Sequence, residues 1–362
     1  MNFEEFKTEV SEHIKDYLPT SYENAEVSIR DVIKNNDTHL SGLTIREEGE
    51  MIAPTLYLED FFHEYESGHS IDFVMDHIAG IYDSAKNNDI GLEADDLVSN
   101  ITDYETTKDK IIPRVVNKEF NEERLQNMPH TDLGDLAVTY HVDLGKAEDG
   151  NMSVAVSNEM MEKYGVSLEE IHEKACENME KLTPASFETI VETLAHLMIP
   201  GYEDMSEEEK ASARNDFDMP DPGMYVLTNE SKAFGAAVML DSDTMDRIEK
   251  EVGEFYILPS SVHEVLIVPM REGMELSELE AMVQEVNATQ VAPNEVLSDH
   301  VYKYDSKTKE IYRADKESER NKEKETEKRP SLKARLEDKK KEVKERDSEK
   351  EAKTKIHSKE RE

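Results

Sequence analysis

Apolar residues recur along this chain with two periods. Phe3, Phe6, Val10, Ile14 and Leu18 share one helical face ahead of Pro19, which predicts an amphipathic helix at the start. Val27 and Ile29, then Leu43 and Ile45, alternate with polar residues around Asn35-Asn36-Asp37. That pattern predicts a hairpin over 25–34 and 39–47, with a third strand at 52–58. Ser70 then precedes a stripe of Ile71, Val74, Met75, Ile78, Ile81 and Tyr82 broken only by Gly80. These elements make a small α+β lobe over 1–108, and its acidic, weakly patterned end at 88–109 reads as a helix with turns leading into a second lobe at 109–315.

In the second lobe the clearest strand places Leu136, Val138, Tyr140, Val142 and Leu144 on one face. Ala137, Thr139, His141 and Asp143 fall on the other, which reads as a polar, partly wet face. Met152, Val154 and Val156 form its partner. A helix follows, with Ser167 and Glu170 as a capping box and Leu168, Ile171, Ala175 and Met179 as its buried stripe. A second helix is predicted from Thr183 and Pro184 through Phe187, Ile190, Val191, Leu194 and Met198 to Pro200-Gly201. The acidic stretch 201–223, with Pro220 and Pro222, reads as a mobile surface excursion.

Strands at 224–228 and 235–240, a helix at 242–252, strands at 255–259 and 264–269, and a helix at 277–288 capped by Ser277 and Glu280 come next. A final hairpin joins Val301–Tyr304 to Glu310–Arg313. Both halves of the run from Phe255 to Met270 are continuously apolar, so that hairpin is expected at the centre of a sheet covered on both faces. Antiparallel or mixed sheets flanked by helices in two lobes give the fold class α+β.

Charge separates the last 47 residues from the rest. Of 43 basic and 83 acidic residues, 18 and 14 lie from Lys316 onward, so the first 315 residues hold 25 against 69, a net charge of −44. Such a surface repels phosphate backbones and anionic headgroups, which argues against nucleic-acid or membrane binding by the body. The tail 316–362 is too poor in apolar residues to offset its ordering entropy and reads as disordered or as a lone helix. Leu332, Leu336 and Val343 suggest the start of a coiled-coil seam without the heptads to sustain it. Cys176 is the only cysteine, no apolar run spans a bilayer, and the N-terminus is acidic where a signal peptide would be basic. The reading is cytoplasmic.

Each candidate for chemistry has a plainer alternative. His172 and Cys176, four apart on one helix, could share a metal ion, but a structural zinc needs further ligands and both residues also fit the edge of a core. His63-Glu64 with His69 lacks the spacing of a metalloprotease helix. Ser260, Ser261, His263 and Glu264 crowd one short loop, where turn chemistry competes with a catalytic or ligand-binding role for His263. His141 and Asp143 share a strand face over which a binding groove could lie. No phosphate-binding glycine loop or dinucleotide fingerprint is present, and no cofactor is assigned.

Leu-Tyr-Leu-Glu-Asp-Phe-Phe at 56–62, Tyr-His-Val-Asp-Leu-Gly at 140–145, Ala-Val-Ser-Asn-Glu-Met-Met at 155–161, Met-Tyr-Val-Leu-Thr-Asn at 224–229 and the run 255–270 together resemble a family of uncharacterised proteins from Gram-positive gut anaerobes, known as a domain of unknown function. The resemblance covers nearly all of 1–315. A weaker likeness to a second uncharacterised bacterial group rests on the middle segment around Ala175-Cys-Glu-Asn178 and a late strand ending in Val-Pro. The resemblance implies a shared α+β fold and a bacterial cytoplasmic setting, and it carries over no site residue. The leading expectation is a non-enzymatic protein-binding or adaptor module. The alternatives are a hydrolase using His141, Asp143 or His263 in a cleft between lobes, and an acidic nucleic-acid mimic that occupies a basic DNA-binding protein.

Overall fold

A computed structural model describes residues 1–48, 53–87, 101–147, 150–216 and 223–328. Met1–Ala314 forms one compact α+β unit, and Asp315–Glu362 a second. Of the second, residues 315–328 are described, the end of a 3-10 turn followed by the helix Glu317–Lys328; the proposed coiled-coil positions lie outside the described residues.

The first 87 residues build their own core. Helix α1 (Phe3–His13) is closed by a capping box between Asn2 and Glu5 and runs on through a 3-10 turn at Ile14–Tyr17, so the predicted stripe of Phe6, Val10, Ile14 and Leu18 is buried. It packs with α2 (Leu58–Glu66) and α3 (Ile71–Asn87) on a three-stranded antiparallel sheet of β1 (Glu26–Ile33), β2 (His39–Arg46) and β3 (Leu56–Tyr57). The β1–β2 turn holds Asn36 and Asp37 in the left-handed region at φ 56° and 45°, a conformation that Asn and Asp tolerate better than most residues. The predicted linker falls partly outside the described residues at 88–100; its far end holds a single turn, α4 (Tyr104–Thr107).

Two sheets share the main core. One is built on the long strand β6 (Leu136–Ala147), with β4 (Ile111–Asn117) along one edge; β5 (His130–Leu133) and β7 (Gly150–Ala155) pair with its first and second halves. The other is six-stranded in the order β13-β12-β10-β11-β9-β8, from β8 (Ala185–Thr189), β9 (Tyr225–Asn229), β10 (Phe255–Leu258), β11 (Val265–Pro269), β12 (Tyr302–Asp305) and β13 (Glu310–Arg313). The run 255–270 thus supplies the two central strands. Its side chains alternate between two cores: Phe255, Ile257, Val265 and Ile267 meet the first sheet, while Leu258 and Val268 meet Leu279 and Val283 of a covering helix, Leu276–Thr289.

Several expectations fail for local reasons. The helix predicted from Thr183 begins only at Ile190, because Ser186, Phe187 and Glu188 pair with β9 as a strand and Thr189 is the N-cap. Gly235–Leu240, read as a strand, is a buried 3-10 helix; its small Gly-Ala-Ala start lets backbone pass against backbone. A Cβ on Gly235 would stand 2.6 Å from Asn229 N and 2.7 Å from His263 O. Ser277 caps nothing, since the last helix starts one residue earlier with Glu275 as an N-cap that makes no side-chain bond. In the helix Leu168–Leu182, Ser167 does accept from Glu170 N, but Leu168 lies exposed. The excursion is anchored over 202–216: Tyr202 is buried, bonded to Glu192 and Arg214 and packed with Ala195 and Ile199, while 217–222 lie outside the described residues. The supposedly wet face of β6 is closed, with Ala137, Thr139 and His141 all buried.

Candidate functional site

On the polar face of β6, Ala137 packs against Val116 and Leu125, and His141 lines a cavity of about 950 Å³ whose other walls include residues 31–35, Leu40 and Tyr57 of the first lobe. Asn36 fastens the two sides. Its Nδ2 donates to the carbonyls of Pro293 and Val296, both at 2.8 Å, and its Oδ1 and backbone N–H exchange hydrogen bonds with Asn121, each at 2.9 Å. Asp37 adds a cap, accepting from the backbone N–H groups of Glu123 and Arg124.

The register of the first sheet explains which side chains face the cavity. On β4, Ile111 and Val115 point into the main core, so Arg114 points the other way, opposite Thr139 and one row from His141. Arg114 donates to Ser153 Oγ at 2.7 Å, and its guanidinium lies 3.5 Å from the centroid of the Phe234 ring. Its Nε is buried without a hydrogen-bond partner. Burial, reinforced by Arg124 and opposed by Asp143, pushes its pKa down to about 10. Phe234 holds φ 53°, an outlier for a bulky residue, in the turn that sets its ring against both Arg114 and His263.

Arg124 enters the same cavity from the short helix Glu122–Leu125, and burial lowers its pKa against the pull of Asp37. Neither arginine has a carboxylate within ion-pair reach among the described residues, although acidic residues outnumber basic ones 83 to 43. His141 is held well below the ordinary imidazole range, first by burial and then by Arg114 and Arg124, so it stands neutral near pH 7.

His263 also lines the cavity, because its loop is no exposed tip. Ser261 and Val262 are buried against the segment 295–298, which pairs with the loop backbone. His263 Nδ1 accepts from Phe234 N–H at 3.2 Å, leaving Nε2 3.4 Å from Glu295 Oε1. Ser261 accepts from His263 N–H, the turn role expected of a loop serine. Burial raises the neighbouring Glu264 carboxyl above its usual range.

Asp143 stands apart. It accepts from Gly145 N–H at a β-bulge and lines a smaller cavity of about 290 Å³, beyond the partition formed by Arg114, Ser153 and Phe234. His172 and Cys176 lie together, Sγ 3.8 Å from Nε2, but His172 Nδ1 faces the Tyr140 hydroxyl at 3.1 Å and burial lifts the thiol to about 11. No third ligand joins them among the described residues. His63 pairs with Glu66 while His69 stacks on Phe73, so those two imidazoles do not converge.

A family model described as a family of unknown function (DUF5688) matches residues 3–306. The chain belongs to that family. No curated protein and no solved structure matches it. Among the described residues no helix is long and apolar enough to cross a membrane. This DUF5688 member therefore brings together His141 and His263, which sequence reasoning singled out, with Arg114 and Arg124, which it missed. The overlooked signal was a lone cation inside the apolar strand Ile-Ile-Pro-Arg-Val-Val, a position where charge is costly unless something answers it.

Proposed function

We propose that this DUF5688 protein binds a small molecule in the cavity between its lobes. The observation that carries this reading is a roomy concavity whose walls come from both lobes and combine apolar surface with a few polar groups, the usual make-up of a ligand site. A binding role is favoured over hydrolysis because both His263 nitrogens are engaged and Ser153 and Ser157 have no base within hydrogen-bond reach among the described residues. The test is a thermal-shift screen of the full chain against neutral and anionic metabolites. A ligand present at 100 times its Kd adds about 2.7 kcal/mol. Ala155→Trp, filling the cavity beside His141, abolishes that shift; a shift that survives the substitution, or a screen without hits, overturns the reading.

A protein-partner role is a second reading, carried by one feature. Leu194, Leu197 and Met198 stand exposed together on the helix Ile190–Met198, at 41%, 73% and 55% of their free areas. The triple change to Glu leaves folding intact and removes any partner that docks there; the measurement is co-purification of tagged wild type and variant from native lysate, and equal recovery of the same partner refutes it.

A further inference from the structure

The charges in the cavity point to one class of ligand, on the premise that the cavity is a small-molecule site. Arg114 and Arg124 repel each other and both depress His141, yet the fold holds all three groups in one space. Lys34 adds a third cation at the wall, its ammonium 4.5 Å from the Tyr57 ring centroid. The two acids at the rim are already engaged, Asp31 with His39 at 2.6 Å and Glu295 with His263. Clustered cations that form no ion pair among the described residues, and are answered only at longer range by Asp37 and Asp143, are an arrangement that an anionic ligand completes, here in a chain of net charge −40.

We propose that the cavity takes a phosphate monoester, with Arg114 and Arg124 holding the phosphate and the apolar wall of Leu40, Tyr57 and Phe234 receiving its organic part. Two guanidinium groups present planar forks that match phosphate oxygens bidentately, and their joint charge balances a phosphate dianion, whereas a single carboxylate leaves one cation unanswered. His141, neutral and buried behind them, adds a hydrogen-bonding edge without further charge.

The experiment is isothermal titration of the full chain with inorganic phosphate, phenyl phosphate, benzoate and benzyl alcohol at low ionic strength. Phenyl phosphate binds wild type most tightly, inorganic phosphate is at least ten-fold weaker, and benzoate is weaker than phenyl phosphate. Arg124→Gln and Arg114→Gln each weaken phenyl phosphate by about ten-fold to a hundred-fold, with unchanged far-UV circular dichroism as the folding check. Should Arg114→Gln fail to fold, Arg124→Gln alone decides. Benzoate matching phenyl phosphate, or variants that bind phenyl phosphate as wild type does, overturns the inference. Benzyl alcohol binding equally to wild type and both variants, with no preference for phosphate, leaves the small-molecule cavity standing and removes the phosphate. Binding by none of the four probes overturns the inference, and the metabolite screen then judges the cavity reading separately.

Discussion

Removing the Asn36 side chain tests whether the lobes are held by hydrogen bonds rather than by shape. Asn36→Ala deletes the bonds to Pro293 O and Val296 O and the one accepted from Asn121 Nδ2. At about 1 kcal/mol each these contribute roughly 3 kcal/mol. Asn121, fully buried, keeps its bond to Asn117 O, so its amide is not wholly orphaned. Alanine at φ 56° adds about 1 kcal/mol of backbone strain. Asn36→Gly avoids the strain but frees the unfolded chain, at up to about 1 kcal/mol. Both variants therefore lose roughly 4 kcal/mol, whereas Asn35→Ala, which removes the single bond to Asn294 O, loses about 1. Urea unfolding followed by tyrosine fluorescence gives the magnitudes. Hydrogen exchange at 33–40 and 293–298 shows whether the lobes part before the cores open. A loss below about 1.5 kcal/mol in both Asn36 variants refutes the reasoning, because water then replaces those bonds at little cost.

The same geometry yields three further outcomes. Gly235→Ala places a methyl group against the backbone at Asn229 and His263 and lowers stability by more than about 2 kcal/mol in urea unfolding; a change under about 0.5 kcal/mol contradicts the close approach. Tyr82→Phe strips a buried hydroxyl that both donates to Ile45 O and accepts from Ile45 N–H, costing roughly 2–4 kcal/mol by calorimetry, and a neutral result excludes that bracket. His141 has a depressed folded pKa, so the unfolded imidazole takes up a proton that the folded one refuses. Its stabilising effect is complete above about pH 6.5 and declines as pH falls, by up to about 1.4 kcal/mol per unit. His141→Gln flattens the acid limb of a stability–pH series, and identical slopes in wild type and variant contradict the assignment.

The fold was legible where a single element's pattern decides it. The continuous apolar halves of 255–270 could only be covered on both faces, and the stripes of the first and third helices arise directly from 3.6-residue spacing, except that Ile81 lies exposed. Legibility failed where a partner decides. Phe187 fits a helical stripe and a strand face alike, and pairing with Leu227 settles it as strand. Ala236, Ala237 and Val238 alternate with nothing, and only close approach to β9 makes them a 3-10 helix. The cavity was legible in part: His141 and His263 drew notice as residue types, but Arg114 and Arg124 gain meaning only when the lobes meet, through contacts spanning more than 80 residues of sequence.

The fastening at Asn36 also sets an order of assembly. The first lobe's core is complete within Phe6–Tyr82, so that lobe can fold as soon as it leaves the ribosome. The carbonyls that grip Asn36 lie 257 and 260 residues further along, beyond both main sheets' central strands. A chain growing from its N-terminus can therefore fasten Asn36 and Asp37 to Asn121, Glu123 and Arg124 early, but the grip is completed only when Pro293 and Val296 emerge, so the cavity is among the last features to close.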